Sequence, residues 1–237
     1  MRFGLKIIID IAYKMWYNLT QNKASIFYNI DSGGLLKMGT PGIGDPYWYE
    51  WYVGLKNVID MLNPDSRIVS VTFQHGEFDT IDDVVVEFAD SGSQICYQIK
   101  HEILTSKESN LTFGKLLEKE ENKNSLISAI FSGWQNASKG AHSTIAPKLY
   151  TNRNIGKNKT TRDFNGTSYT AYPLDIFLIS IKKVLQDVSD TENINIEDNN
   201  LKLQWEELCR NINSDKTSIA EFLKIFTVES SQPELED

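Results

Sequence analysis

The chain has 237 residues, of which 41% are hydrophobic and 24% charged, with a net charge of −8 and a pI of about 5.0. These values suit a globular protein with a real core and exclude a disordered chain. They argue mildly against a surface that grips nucleic acid over its whole extent, but leave room for a local basic groove.

Two cysteines, Cys96 and Cys209, are too few for a disulfide framework and point to a reducing compartment. Five Asn-x-Ser/Thr sequons begin at Asn18, Asn110, Asn136, Asn158 and Asn165. A chain rich in Asn, Ser and Thr produces them by chance.

From the N-terminus, residues 3–17 are apolar and aromatic, with roughly helical spacing at Ile8, Ile11, Ala12 and Trp16. The spacing predicts either a helix or a docking arm. Arg2 and Lys6 precede Ile7-Ile8-Ile9, but Asp10 and Lys14 interrupt the run. It is too short for a membrane span and lacks a small-residue cleavage site, so we expect a cytoplasmic protein with no targeting segment. Two turn clusters follow, at residues 31–34 and 39–46. They separate an N-terminal arm of unknown role (1–38) from the main domain (39–229).

Asp45 can cap the next helix, with Pro46 at its first position. That helix is predicted to run to about Leu62, with Tyr47, Trp51, Leu55, Val58, Ile59 and Leu62 as its apolar face. Asn63-Pro64-Asp65 ends it. Residues 67–73 alternate as a strand and Gly76 breaks it. Residues 83–88 and 94–100 read as two more strands joined by a turn at Asp90-Ser91-Gly92. Helices are predicted over 111–121 and 125–137, the second with a stripe of Leu126, Ile127, Ile130, Phe131 and Trp134. A fourth strand over 147–150 leads into a polar loop. Further helices are predicted over 174–188, 201–212 and 218–226, with Ile176, Phe177, Ile179, Val184 and Leu185 inward on the first of these. An acidic tail or linker, 230–237, closes the chain.

The chemistry concentrates at Asp83, Gln98 and Lys100. Side chains alternate along a strand, so Gln98 and Lys100 share one face. Asp83 lies as far before Ser91 as Lys100 lies after Gly92, so a near-symmetric hairpin brings the two together. Phosphodiester hydrolysis needs a cation to neutralise charge and a water to attack in line. Asp83 offers a hard oxygen to Mg²⁺, Gln98 its amide oxygen, and Ile99 its backbone carbonyl. Lys100 can hold the attacking water or stabilise the developing charge.

The runs Asp82-Asp83-Val84-Val85-Val86 and Tyr97-Gln98-Ile99-Lys100-His101 resemble the PD-(D/E)xK nuclease superfamily, in the variant ending in Gln-x-Lys. More narrowly, residues from about 40 to 230 are similar to the double-stranded-DNA endonuclease effector domains of bacterial anti-phage proteins, those of CBASS effectors and STAND-NTPase phage sensors. Residues 42–50 and 148–153 also fit. The resemblance implies an α/β fold: a restriction-endonuclease-like core with a short mixed sheet flanked by helices. It implies a Mg²⁺ site, with Mn²⁺ able to substitute, and double-stranded DNA as substrate. It further implies a C-terminal sensor or NTPase domain in the same protein, a homo-oligomeric active state and no membrane. In that superfamily a Glu from the first helix often completes the metal site. Glu50 is the counterpart, as the only acid between Asp45 and Asp60. The choice of ligand between Asp82 and Asp83 stays open, although Asp83 directly precedes the apolar run as the family's motif Asp does.

Other residues carry weaker signals. His101 faces the opposite side from Lys100 and either packs on a helix or contacts DNA. His75 and His142 are isolated, no His/Cys cluster has zinc spacing, and Gly42-x-Gly44 lacks the Lys-Ser/Thr of a phosphate loop. Trp48 and Trp51 suit core packing better than base stacking. Lys148, Arg153, Lys157, Lys159 and Arg162 form a basic stretch with no acid among them. It is either a solvated loop or a track for DNA phosphates. Two alternatives to a DNA endonuclease remain: a catalytically silent DNA-binding or oligomerisation module on the same fold, and an RNA-directed nuclease.

Overall fold

The computed structural model describes residues 45–76, 80–89, 92–101, 110–119, 121, 123–139, 141, 144–186 and 194–230, without the side chains of 45–47 and 64. The expected arm, the loop before Asp45, its capping side chain, His142 and most of the acidic tail lie outside the described residues.

Helix α1, Asp45–Asp60, is the first element among the described residues. Asn63 then caps a short 3-10 turn, Pro64–Ser66, its side chain accepting from Asp65 N at 3.1 Å. Three strands follow: β1 Ile68–Phe73, β2 Val84–Phe88 and β3 Gln94–Lys100. All three form where alternation places them, and pair antiparallel in order. Gly92 turns the second hairpin at φ 59, a conformation that favours glycine.

Helix α2 is one short piece, Phe113–Leu117, rather than the longer helix expected. Ser125 caps α3, Leu126–Ser138, which buries Ile127, Ile130, Phe131 and Trp134 as its stripe predicts. Strand β4, Ile145–Thr151, then lies parallel to β3, as a crossover through helices permits. Strands β5 Thr160–Phe164 and β6 Thr167–Ala171 form a separate hairpin where a loop was expected. Asn165 and Gly166 turn it with φ of 56 and 75, the left-handed pair that suits a two-residue hairpin.

Helices α4 Leu174–Gln186, α5 Asn199–Ile212 and α6 Lys216–Ile225 complete the helical layer. Asp198 and Asp215 cap the last two, accepting from Leu201 N and Ser218 N. A final short strand, β7 Thr227–Glu229, pairs parallel with β4. The result is a mixed α/β fold: one mixed five-stranded sheet, ordered β1-β2-β3-β4-β7, flanked by helices. Among the described residues no helix is long and apolar enough to cross a membrane.

The two sheet faces build two cores. Val84, Val86, Tyr97, Ile99 and Tyr150 pack with Tyr49, Val53 and Val58 of α1. The alternate residues Val85, Cys96 and Leu149 pack with α2 to α6 through residues such as Phe113, Ile130, Phe177 and Phe222. Two expected faces differ. Helix α1 turns Tyr49, Val53 and Val58 inward and leaves Ile59 and Leu62 exposed. Helix α4 buries Phe177, Leu178, Ile181 and Leu185 but exposes Ile176 and Ile179. Both sequences are apolar on more than one side, so periodicity alone could not choose the inward one.

Candidate active site

The ladder fixes the site. Val84 pairs with Tyr97, so the next step of the register sets Asp83 opposite Gln98, with Lys100 two residues further on. The offset from the symmetric pairing is even, so all three side chains keep the face that counting assigned them. Asp83 Oδ2 accepts from Gln98 Nε2 at 2.5 Å and from Ile99 N at 2.5 Å. The backbone before β2 is pinned as well: Gln74 N donates to Asp83 O at 3.0 Å and His75 N to Asp82 O at 2.9 Å.

Glu50 reaches this corner from α1. Gln74, in left-handed backbone at φ 48, donates from Nε2 to Glu50 Oε2 at 3.4 Å. Burial pushes the Glu50 carboxyl up to about 7, and the charge of Asp83 adds to the rise; Gln74 and Lys100 oppose it. Burial likewise pushes Asp83 up to about 6, against the Ile99 N–H and Lys100. Asp82 is half-buried and raises both through its charge. Glu50, Asp83 and Lys100 therefore share one electrostatic environment, with Asp82 beside it. Gln74 is the member that sequence reasoning missed. Its role depends on the left-handed backbone just past β1, which no spacing announces.

The donor set fits a hard divalent cation. Two carboxylates are held partly desolvated and mutually repelling, and a cation between them would relieve both penalties. Among the described residues, no His, Cys, Asp or Glu side chains gather in a group of three able to hold a metal. The set is thus two carboxylates, with the remaining positions left to backbone or water, as Mg²⁺ commonly accepts. The Ile99 carbonyl lies on the same side of β3 as its N–H, past the last ladder residue of β2, and so faces Asp83. Gln98 is 7% exposed and presents its amide N–H to Asp83. Ligation through its oxygen would require the amide to turn.

His101 packs its ring on Tyr49 of α1, with centroids 4.7 Å apart. Beside it opens a cleft of about 230 Å³, with Lys100, His101, Thr151 and Arg153 as its polar lining over Leu111 and Leu149. Burial lowers the pKa of Arg153.

The other basic residues are scattered. Lys148 Nζ lies 3.2 Å from Glu229 Oε2 and over the Tyr97 ring. Lys157 pairs with Asp175 at 3.4 Å, and Lys159 sits over the Tyr172 ring. Arg162 Nε donates to Glu207 Oε2 at 3.0 Å, and Tyr169 donates to the same carboxylate. The stretch lacks acids in sequence, but the fold brings Glu229, Asp175 and Glu207 to three of its five cations. Arg153 alone of the five lines the cleft beside Lys100.

No protein-family model matches the chain, and no curated protein matches it by sequence.

Proposed function

We propose that this chain is a metal-dependent endonuclease of the PD-(D/E)xK type, built on a restriction-endonuclease-like core and hydrolysing phosphodiester bonds of double-stranded DNA. The observation that supports it best is the strand-end corner where Asp83, pinned by Gln98 and Ile99, meets Glu50 and Lys100. We further propose, from the sequence resemblance, that it serves as the effector of an anti-phage protein activated through a sensor or NTPase domain and self-association.

In this reading Asp83, Glu50 and the Ile99 carbonyl would hold Mg²⁺. Bound there, the ion supplies charge neutralisation at the phosphate and a more acidic water. Gln98 is a positioning residue that orients the Asp83 carboxylate. Lys100 stabilises the charge that develops on the phosphoryl oxygens and orients the attacking water. Arg153 contacts a flanking phosphate from the wall of the cleft.

Plasmid DNA incubated with Mg²⁺ tests this. Nicking should appear with the native protein in its assembled, activated state and fall by about 10²-fold or more in Lys100→Ala. Equal cleavage by that variant overturns the assignment. Duplex DNA, single strands and RNA digested side by side decide the substrate.

One observation favours a second reading, a catalytically silent DNA-binding or oligomerisation module. Gln98 stands where an acid would add charge to the metal site, and its N–H occupies Asp83 Oδ2. That reading predicts salt-sensitive DNA binding, or self-association, with no cleavage at any Mg²⁺ concentration.

A further inference from the structure

Helix α1 is apolar on two opposite sides. Tyr49, Val53 and Val58 face the sheet. On the outer side, Trp48, Tyr52, Ile59 and Leu62 are 41%, 36%, 65% and 62% exposed, with Leu55 half-buried between them. Leu62 lies just past the helix, where its N–H still bonds back to Ile59 O at 3.0 Å.

The spacing of these five residues alternates four and three. At 3.6 residues per turn they fall within an arc of about 80° that contains no polar residue. Their repeat matches the inward positions of a two-helix seam, so the surface is shaped for another helix. A continuous apolar stripe of this length marks a docking face rather than scattered surface hydrophobics.

The chain supplies a matching element. Residues 1–44 run directly into α1. Within them Leu5, Ile8, Ala12, Met15 and Leu19 repeat the same three-and-four spacing over the same length of sequence. Lys6, Asp10 and Lys14 fall on the opposite side of that pattern. Residues 1–44 carry five basic and two acidic residues, a net +3, against −11 for the rest of the chain. Residues 20–44, with their Gly and Pro turns, can span far more than the length of the stripe. Attachment also gives the segment an effective concentration that a separate molecule in dilute solution does not reach.

We propose that residues 5–19 dock as a helix on the outer face of α1, covering Trp48, Tyr52, Leu55, Ile59 and Leu62. Helix α1, which carries Glu50, is then clamped between the sheet and this segment.

The test uses the full chain with Ala12→Cys and Leu55→Cys, the middle positions of the two stripes, which meet whichever way the helices run. The native thiols Cys96 and Cys209 are both buried. A short bis-maleimide should link the two new cysteines within one chain. Adding Ile59→Glu, at an exposed position that spares the core, should lower the yield about tenfold or more by setting a charge in the seam. Covalent dimers in place of the internal link would assign the face to a second copy and overturn the proposal. Absence of any link between correctly folded chains, or a yield indifferent to Ile59→Glu, would overturn it equally.

Discussion

At Asp83 and Glu50 the fold holds protons that the unfolded chain would release. Their ordinary values, 3.8 and 4.5, rise to about 6 and about 7. The folded chain therefore binds more protons between pH 4 and 7. The stability these groups contribute is complete below about pH 4 and is lost as pH rises through 6 and 7. Asp83→Asn should consequently match the native chain at pH 4 and exceed its stability by about 1–2 kcal/mol at pH 8 without metal, after allowance for partial exposure. Adding Mg²⁺ at pH 8 should close the gap by stabilising the native chain only. Paired thermal melts measure both effects, and a variant less stable at pH 8 would contradict them. Mg²⁺-dependent cleavage should weaken as pH falls below 7, first through Glu50 and then through Asp83. The Asp83, Gln98 and Lys100 face was legible because strand parity survives an even shift of register. Gln74 was not, because its contact with Glu50 rests on a left-handed residue and a helix far away in sequence.

Between elements, α1 and β1 approach closely at Gly54. A methyl group added at Gly54 would lie 1.9 Å from the Phe73 ring, which stacks on Trp51. Glycine to alanine inside a helix ordinarily stabilises by up to about 1 kcal/mol. Here the sign should reverse, with Gly54→Ala costing about 1–3 kcal/mol through overpacking. Phe73→Leu should shrink that difference, and urea unfolding of the four chains reads it directly. The three strands of the first sheet half were legible from alternation and their turns. The β5–β6 hairpin was hidden by its Thr, Arg and Asp content, although Asn165-Gly166 carries a strong turn signal. Strand β7 escaped because three residues are too few to show a period, and its partner β4 is remote in sequence.

Across the whole molecule, charge is distributed by the fold rather than by the sequence. Arg162, Glu207 and Tyr169 form one partly buried cluster, and Arg162 also lies over the Phe113 ring. Arg162→Ala leaves Glu207 without its guanidinium partner and should destabilise the chain by about 2–4 kcal/mol. Lys157 is 81% exposed beside Asp175, so Lys157→Ala should change stability by less than about 1 kcal/mol. In the proposed nuclease reading, Arg153→Ala should weaken DNA binding and flatten its salt dependence, because this residue lines the cleft beside Lys100. Melting and salt titration of the three variants measure each cation's share in stability and in binding separately. A stretch free of acids in sequence could not make that distinction, since the acids that pair with its cations come from other parts of the chain.

The candidate chemistry sits at the ends of elements: Asp83 just before β2, Lys100 on the last residue of β3, and Arg153 just beyond β4. Lys100 is exposed, while both cores lie further along the sheet. At Lys100, chemistry and folding are therefore separable. In the proposed nuclease reading, a Lys100→Ala chain should accumulate in cells as well as the native one and, wherever assembly is required, act as a dominant competitor of it.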